Sequence, residues 1–245
     1  MRYIWTIIMA PVVVLLTLAV SLGICVSGIV DRTGWIWWRI GRFWGWSIMR
    51  LCGATSGIRT RNIERMQDLK GAILMANHES NLDPPLLIGL SKAPVRFVTK
   101  HSLFYIPIFG QAMWVVGMIP VDRTRRERAI DSLKEAADKI AEGRVVLVFP
   151  EGQRSRGSDL LKFKKGGFML ALQSGVPIVP IGIAGTGAIM PPGYGAIRFG
   201  AAAVSVGDPI CTEGMDISNR KEIMDKVEAA IRVERAHAQA LLQAP

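Results

Sequence analysis

Within the stretch Ala76-Asn77-His78-Glu79-Ser80-Asn81-Leu82-Asp83-Pro84-Pro85, a histidine stands five positions before an aspartate. An imidazole works as a general base near neutral pH when a carboxylate accepts the proton on one ring nitrogen and leaves the other free. The preceding run, Gly71 to Ala76, is apolar and reads as a strand. Pro84 and Pro85 suit the first turn of a helix, where a missing N–H costs nothing. That predicts Asp83 at the helix N-cap. A strand end followed by a helix start can bring Asp83 back to face His78. The same spacing also suits a helix cap beside a surface histidine, so the weight falls on the polar residues further along.

Those residues recur at the ends of predicted strands, where α/β proteins place their sites. Lys100 closes Val95–Thr99, and Asp122 and Arg123 follow Gly117–Val121. Pro150-Glu151-Gly152-Gln153-Arg154-Ser155-Arg156 follows Arg144–Phe149, and Gly185-Thr186-Gly187 follows Ile178–Ala184. Arg123, Arg154 and Lys100 could converge on a phosphate, which suits the planar fork of arginine. Gly152 lets backbone approach a ligand closely, and Glu151 reads as an orienting partner for arginine. A single Arg or Lys is usually a solvated surface charge; three at successive strand ends are not so easily set aside. Arg125, Arg126, Arg128, Lys162, Lys164 and Lys165 read as surface charge facing an anionic lipid or a carrier.

Several chemistries are excluded. No G-x-x-x-x-G-K-[ST] occurs, so there is no phosphate-binding P-loop. Gly185-Thr186-Gly187 opens like a dinucleotide fingerprint, but Met190 stands where the third glycine belongs, and the segment reads as a turn. There is no G-x-S-x-G nucleophile elbow. The three histidines, His78, His101 and His237, lack zinc spacing. Cys25, Cys52 and Cys211 show no C-x-x-C pairing and read as reduced and structural. A base and cations without a protein nucleophile fit a reaction in which the substrate brings its own hydroxyl. His78 would deprotonate that hydroxyl as it attacks an activated carbonyl, while the arginines hold a phosphate on the same molecule.

The elements that must position these groups divide the chain in two. The sequence has 245 residues, half of them hydrophobic, and a formal charge of +10. Such a basic and apolar chain points to an anionic membrane surface or to phosphorylated ligands. Nucleic acid would answer the charge but not the apolar content. Residues 1–53 read as membrane-anchoring helices. Tyr3 to Val30 carries no charge and is long enough for a bilayer, which takes about 20 apolar residues. It is too long for a signal-peptide core and lacks a cleavage site. Gly34 to Cys52 sets Arg39, Arg42 and Arg50 on one helical face and Trp37, Ile40, Trp44, Ile48 and Leu51 on the other. With five of the seven tryptophans between Trp35 and Trp46, it reads as a helix lying in the membrane interface. The arginines place the following domain on the cytoplasmic side.

Residues 54–245 alternate short apolar runs with helical patterns, predicting an α/β domain with a mixed, largely parallel sheet flanked by helices. Arg125 to Glu142 reads as a helix with a Thr124/Glu127 capping box. Gly166 to Ser174 reads as another, stopped at Gly175. A third runs from about Asn219 to Gln243 with Ile223, Val227 and Ile231 inward.

Four segments together resemble the glycerolipid acyltransferases, in the order those proteins have them and across roughly residues 70 to 190. His78 and Asp83 are similar to their H-x-x-x-x-D motif, and Gly117 to Arg123 to their second block. Phe149-Pro150-Glu151-Gly152-Gln153-Arg154-Ser155 resembles F-P-E-G-T-R-S, and Val176-Pro177-Ile178-Val179-Pro180 resembles V-P-[IV]-[IV]-P. The bacterial 1-acyl-sn-glycerol-3-phosphate acyltransferases of the PlsC type match best, including the N-terminal pair of helices. Gln153 departs from the commoner threonine and bears on substrate preference more than on chemistry. The resemblance implies transfer of a fatty acyl group from acyl-CoA or acyl carrier protein to the sn-2 hydroxyl of lysophosphatidic acid, at the bacterial inner membrane. It implies His78 as base, Asp83 as its partner, and Arg123, Glu151, Gly152 and Arg154 in the acceptor site, with Lys100 beside them. It implies no metal and no cofactor beyond the acyl donor. The alternatives are an acyltransferase for another lyso-lipid, such as lyso-ornithine lipid or a lysophospholipid, and a non-catalytic lipid-binding protein of the membrane.

Overall fold

Ala72–Ala76, Val145–Val148 and Ile178–Ala184 are buried at every position. Apolar runs without alternation need cover on both faces, as in the centre of a largely parallel sheet. In the computed structural model, which describes residues 2–31, 33–121, 137–138, 140–156, 159–193 and 197–244, these runs are the middle of one sheet. Its strands are β1 (Ile58–Arg61), β2 (Ala72–Ala76), β3 (Val95–Lys100), β4 (Ile119–Val121), β5 (Val145–Val148), β6 (Ile178–Ala184) and β7 (Ala202–Val206). They lie in the order β1-β7-β6-β2-β5-β3-β4. Every pairing is parallel except β6 with β7, so β1 and β7 run against the other five. The predicted mixed, largely parallel α/β sheet is what forms; β1 was not read from the sequence.

Residues alternate between the two faces, as the period of a strand requires. Leu74, Leu147, Val179 and Ile181 share one core cluster with the helices α1 (Arg2–Val30), α2 (Trp35–Leu51) and α3 (Asp83–Leu90). Ile73, Met75, Val146 and Ile178 share the other. There they meet α5 (Gly166–Ser174) and α7 (Arg220–Gln243), which buries Ile223, Val227 and Ile231 completely. Two further helices are α4 (Phe109–Val115) and the short α6 (Thr186–Ile189). Of the predicted helix Arg125–Glu142 only the C-terminal end is described, with Ala137 and Ile140 in the second cluster. Its capping box lies outside the described residues.

The two N-terminal helices differ from expectation in how the tryptophans point. α1 is long and apolar enough to cross a membrane, alone among the described helices, and Tyr3, Ile7, Leu15, Ile29 and Val30 are exposed along it. α2, however, is packed between α1 and α3 rather than lying free with its aromatic stripe outward. Trp37, Trp38 and Ile48 are buried, and the Trp44 indole donates to Thr17 Oγ1 of α1 at 3.0 Å. The reason is Gly45: a Cβ there would come within 2.5 Å of the Pro85 carbonyl oxygen and 2.8 Å of the Gly89 nitrogen. A bare backbone lets α2 sit directly on α3, and the apolar stripe is used for packing. Trp35, Ile36, Phe43 and Trp46 remain exposed.

Candidate active site

β2 ends at Ala76, and Asn77 turns the chain out of the sheet. Its side chain replaces the missing backbone partner of β6: Nδ2 donates to the Ile183 carbonyl at 3.0 Å, and Oδ1 accepts from the Ile183 N–H at 2.7 Å. His78 follows at the sheet's edge, held by its own backbone. Its N–H donates to Glu151 Oε1 at 2.7 Å, and its carbonyl accepts from the Ser155 N–H at 2.8 Å. The imidazole stacks on Phe149, the rings 4.1 Å apart and 18° from parallel. Three contacts with the β5 end thus fix one residue.

Asp83 is completely buried and meets His78 Nδ1 at 2.7 Å with Oδ2. The same oxygen accepts the N–H groups of Glu79 at 2.8 Å and Ser80 at 2.9 Å. Asp83 is therefore not the N-cap that the sequence predicts. It lies inside the first turn, Leu82 holds the cap position, and the carboxylate binds the preceding loop instead of the helix. Those backbone donors anchor it in the orientation that leaves Nε2 of His78 facing the cleft. Oδ1 accepts from the Thr186 hydroxyl at 2.5 Å.

Thr186 also lies 3.1 Å from Glu79 Oε1, which takes the Gly187 N–H at 2.9 Å. Arg235 of α7 stands 3.9 Å from Glu79 Oε2. Burial, and then the charge on Asp83, push the Glu79 carboxyl above its usual range, against the bonds from Gly187 and Thr186 and the charge of Arg235. A hydroxyl has one proton, so Thr186 can donate to only one of two carboxylates. Neither Glu79 nor Thr186 nor Arg235 was read as functional in the sequence. Thr186 is 103 residues from Asp83, and no local spacing signals that contact.

His78 opens into a cleft of about 1130 Å³. Its lining includes the apolar side chains of Val20 and Ile24 of α1, Trp38 and Trp44 of α2, and Ile88 and Met113. Lys100, Arg154 and Arg156 also line it, with Gly152 beside them. Gly152 has φ +71°, a left-handed conformation that glycine adopts without strain, and its N–H closes the turn onto the Phe149 carbonyl at 3.0 Å. The structure so brings His78, Asp83, Lys100, Gly152 and Arg154 to one place. Glu151 feels the charge of Arg235, and it also holds backbone. It is 1% exposed and accepts two backbone N–H groups, from His78 and from Leu161 at 2.8 Å; burial raises its carboxyl above the usual range. Arg123 lies outside the described residues. Among those described, no cluster of three or more His, Cys, Asp or Glu side chains is arranged to hold a metal.

A buried carboxylate–imidazole pair thus stands at the ends of parallel strands, beside a cleft lined by apolar and basic side chains. The chain belongs to the Acyltransferase family, whose model matches residues 57–184. It is 38% identical over 161 residues to the chloroplastic 1-acyl-sn-glycerol-3-phosphate acyltransferase LPAT1 of Arabidopsis thaliana, covering 64% of this chain and 45% of that one. It is 37% identical over 161 residues to the 1-acyl-sn-glycerol-3-phosphate acyltransferase of Saccharomyces cerevisiae, covering 64% and 53%. With that of Escherichia coli it shares 40% over 116 residues, 47% of each chain. The chain thus spans about half the length of the curated relatives it matches. Its fold is that of the crystal structure of the 1-acyl-sn-glycerophosphate (LPA) acyltransferase PlsC from Thermotoga maritima. The TM-score is 0.83 at 24% identity, over 100% of this chain and 97% of that one.

Proposed function

We propose that this chain transfers a fatty acyl group from a thioester, acyl-CoA or acyl carrier protein, to the sn-2 hydroxyl of lysophosphatidic acid, giving phosphatidic acid. The observation that carries the reading is the 2.7 Å bond from His78 Nδ1 to a fully buried Asp83, beside a cleft lined by both apolar and basic side chains. In this reading Nε2 takes the hydroxyl proton as the alkoxide oxygen attacks the thioester carbonyl carbon. The tetrahedral intermediate collapses, the C–S bond breaks, and the imidazolium returns the proton to the departing thiolate. Asp83 stabilises the imidazolium between the two transfers. Lys100, Arg154 and Arg123 hold the phosphomonoester and so keep the hydroxyl within reach of Nε2. Glu151 positions the backbone of His78, and Gly152 lets the turn approach the acceptor. No metal or redox cofactor enters.

The names and lengths of identity to three 1-acyl-sn-glycerol-3-phosphate acyltransferases support the substrate. The exposed apolar residues of α1, with Trp35, Phe43 and Trp46 of α2, support docking on a bilayer of anionic lipid. We place residues 54–245 on the cytoplasmic face of a bacterial inner membrane, with residues 1–53 as the anchor. The test is a thiol-release assay of the purified protein in mixed micelles against lysophosphatidic acid, lysophosphatidylcholine and lyso-ornithine lipid, with each donor. Lysophosphatidic acid should give the highest kcat/KM, and His78→Ala should lower kcat by about 10²- to 10⁴-fold with the fold intact. Preference for a capped phosphate refutes the acceptor, and equal thiol release by wild type and His78→Ala leaves a lipid-binding protein.

A further inference from the structure

The cleft's lining contains two polar atoms that no other described residue satisfies. The indole Nε1 of Trp38 and the hydroxyl of Thr99 are buried and have no hydrogen-bond partner among the described residues. Both residues line the cleft into which His78 opens, and Trp38 is only 5% exposed. The indoles around it behave differently. Trp5 Nε1 donates to the Leu51 carbonyl at 3.1 Å, and Trp44 Nε1 donates to Thr17 Oγ1 at 3.0 Å. A buried donor without an acceptor is costly, and phenylalanine would line the same wall without that cost. Thr99 sits two residues after Phe97 on β3, so both side chains take the same face of the strand. Phe97 lines the cleft as well, and the next residue, Lys100, lies in its lining too.

Resting on the acyl-transfer reading above, we propose that Trp38 and Thr99 form a carbonyl-binding step inside the apolar cleft. The Nε1–H and the Oγ–H donate to the carbonyl oxygen of a fatty acyl group, an sp² oxygen with two lone pairs. An apolar wall such as Val20, Ile24, Ile88 and Met113 cannot fix where along its length a polymethylene chain comes to rest, because one methylene is like the next. Polar donors in such a wall mark the carbonyl end and set the chain in register with His78. The carbonyl belongs either to the sn-1 ester of the acceptor or to the thioester of the donor.

Trp38→Phe keeps the aromatic wall and removes the N–H, and Thr99→Val keeps the shape and removes the O–H. Turnover is compared between 1-acyl- and 1-O-alkyl-glycerol 3-phosphate, which differ in the carbonyl. Wild type should prefer the ester by about 5- to 10-fold in kcat/KM, the worth of one or two neutral hydrogen bonds, and either replacement should bring the ratio near one. That result assigns the step to the acceptor ester. Equal slowing on both acceptors with a raised KM for the donor assigns it to the thioester. A second readout needs no turnover: the thermal shift given by methyl palmitate against that given by hexadecyl methyl ether. The ester should stabilise wild type several-fold more effectively, and Trp38→Phe should remove the difference. If both variants fold with unchanged circular dichroism and keep wild-type ester preference, donor KM and thermal shifts, the two atoms bind only water and the proposal is overturned. A wild type that acylates no glycerol phosphate yet loses its ester-dependent shift on Trp38→Phe refutes the acyl-transfer reading and leaves the carbonyl step standing.

Discussion

Asp83→Asn separates the charge of the dyad from its geometry. The structure allows the replacement to keep every contact. The amide oxygen can stand where Oδ2 stands, accepting from His78 Nδ1, the Glu79 N–H and the Ser80 N–H. The amide nitrogen then takes the place of Oδ1 and donates to the Thr186 oxygen, whose own proton turns to Glu79 Oε1, 3.1 Å away. What disappears is the negative charge beside the imidazolium that forms during transfer. Two unit charges about 4 Å apart at an effective dielectric near 20 interact by about 4 kcal/mol. The imidazole keeps 15% of its side-chain exposure, so solvent screens part of this. The expected loss is about 10²- to 10³-fold in kcat, with KM for the acceptor unchanged and the melting temperature close to wild type. Thiol release at saturating donor measures the first, and calorimetry the last. A kcat within about threefold of wild type refutes the role of Asp83 in stabilising the imidazolium. The contrasting Asp83→Ala strands three backbone and hydroxyl donors in a fully buried site, and should destabilise the fold by roughly 2–4 kcal/mol.

Three further perturbations probe the surroundings. Thr186→Val leaves Asp83 Oδ1 without its donor and should cost about 1–3 kcal/mol of stability by urea unfolding, with roughly tenfold in kcat; wild-type values for both would show that Thr186 plays no part in holding the dyad. The Glu79 carboxyl is raised by burial and by Asp83, so the folded state binds its proton more tightly than the unfolded chain does. That preference supports the fold below the ordinary carboxyl value of 4.5 and is lost as pH rises through the folded value. Glu79→Gln should therefore raise the melting temperature relative to wild type at pH 7 to 8, with the gain vanishing toward pH 4, as followed by differential scanning fluorimetry; a pH-independent difference contradicts it. Gly45→Ala forces a Cβ against the Pro85 carbonyl and the Gly89 nitrogen. It should destabilise the protein by about 1–3 kcal/mol and shift the chain-length profile of the acyl group used, since Pro85 and Trp44 line the cleft.

The sequence by itself determined that the apolar runs are strands of an α/β sheet and which residues stand at their ends. Runs such as Ile178–Ala184 read as strands because they are short, apolar and bounded by glycine. A histidine five residues before an aspartate, between a strand and two prolines, made contact of His78 with Asp83 one reading of the spacing, since a strand-to-helix turn is short and its geometry local. The same reasoning located Lys100, Gly152 and Arg154, which follow strand ends and so fall on one edge of the sheet. Only the tertiary structure decided what surrounds that pair. Glu151 binds the backbone of His78 because β5 lies next to β2, an adjacency that strand order sets and spacing does not. Asp83 turns toward its preceding loop rather than capping α3, and Thr186 reaches it from the turn that follows β6, the strand paired with β2. The tryptophan stripe of α2 faces protein because Gly45 admits α3 at backbone contact; in the sequence the same stripe reads as a face for lipid. Local covalent order fixes which groups a turn brings together, whereas contacts over a hundred residues depend on which strands become neighbours, and that is settled only when the whole sheet assembles.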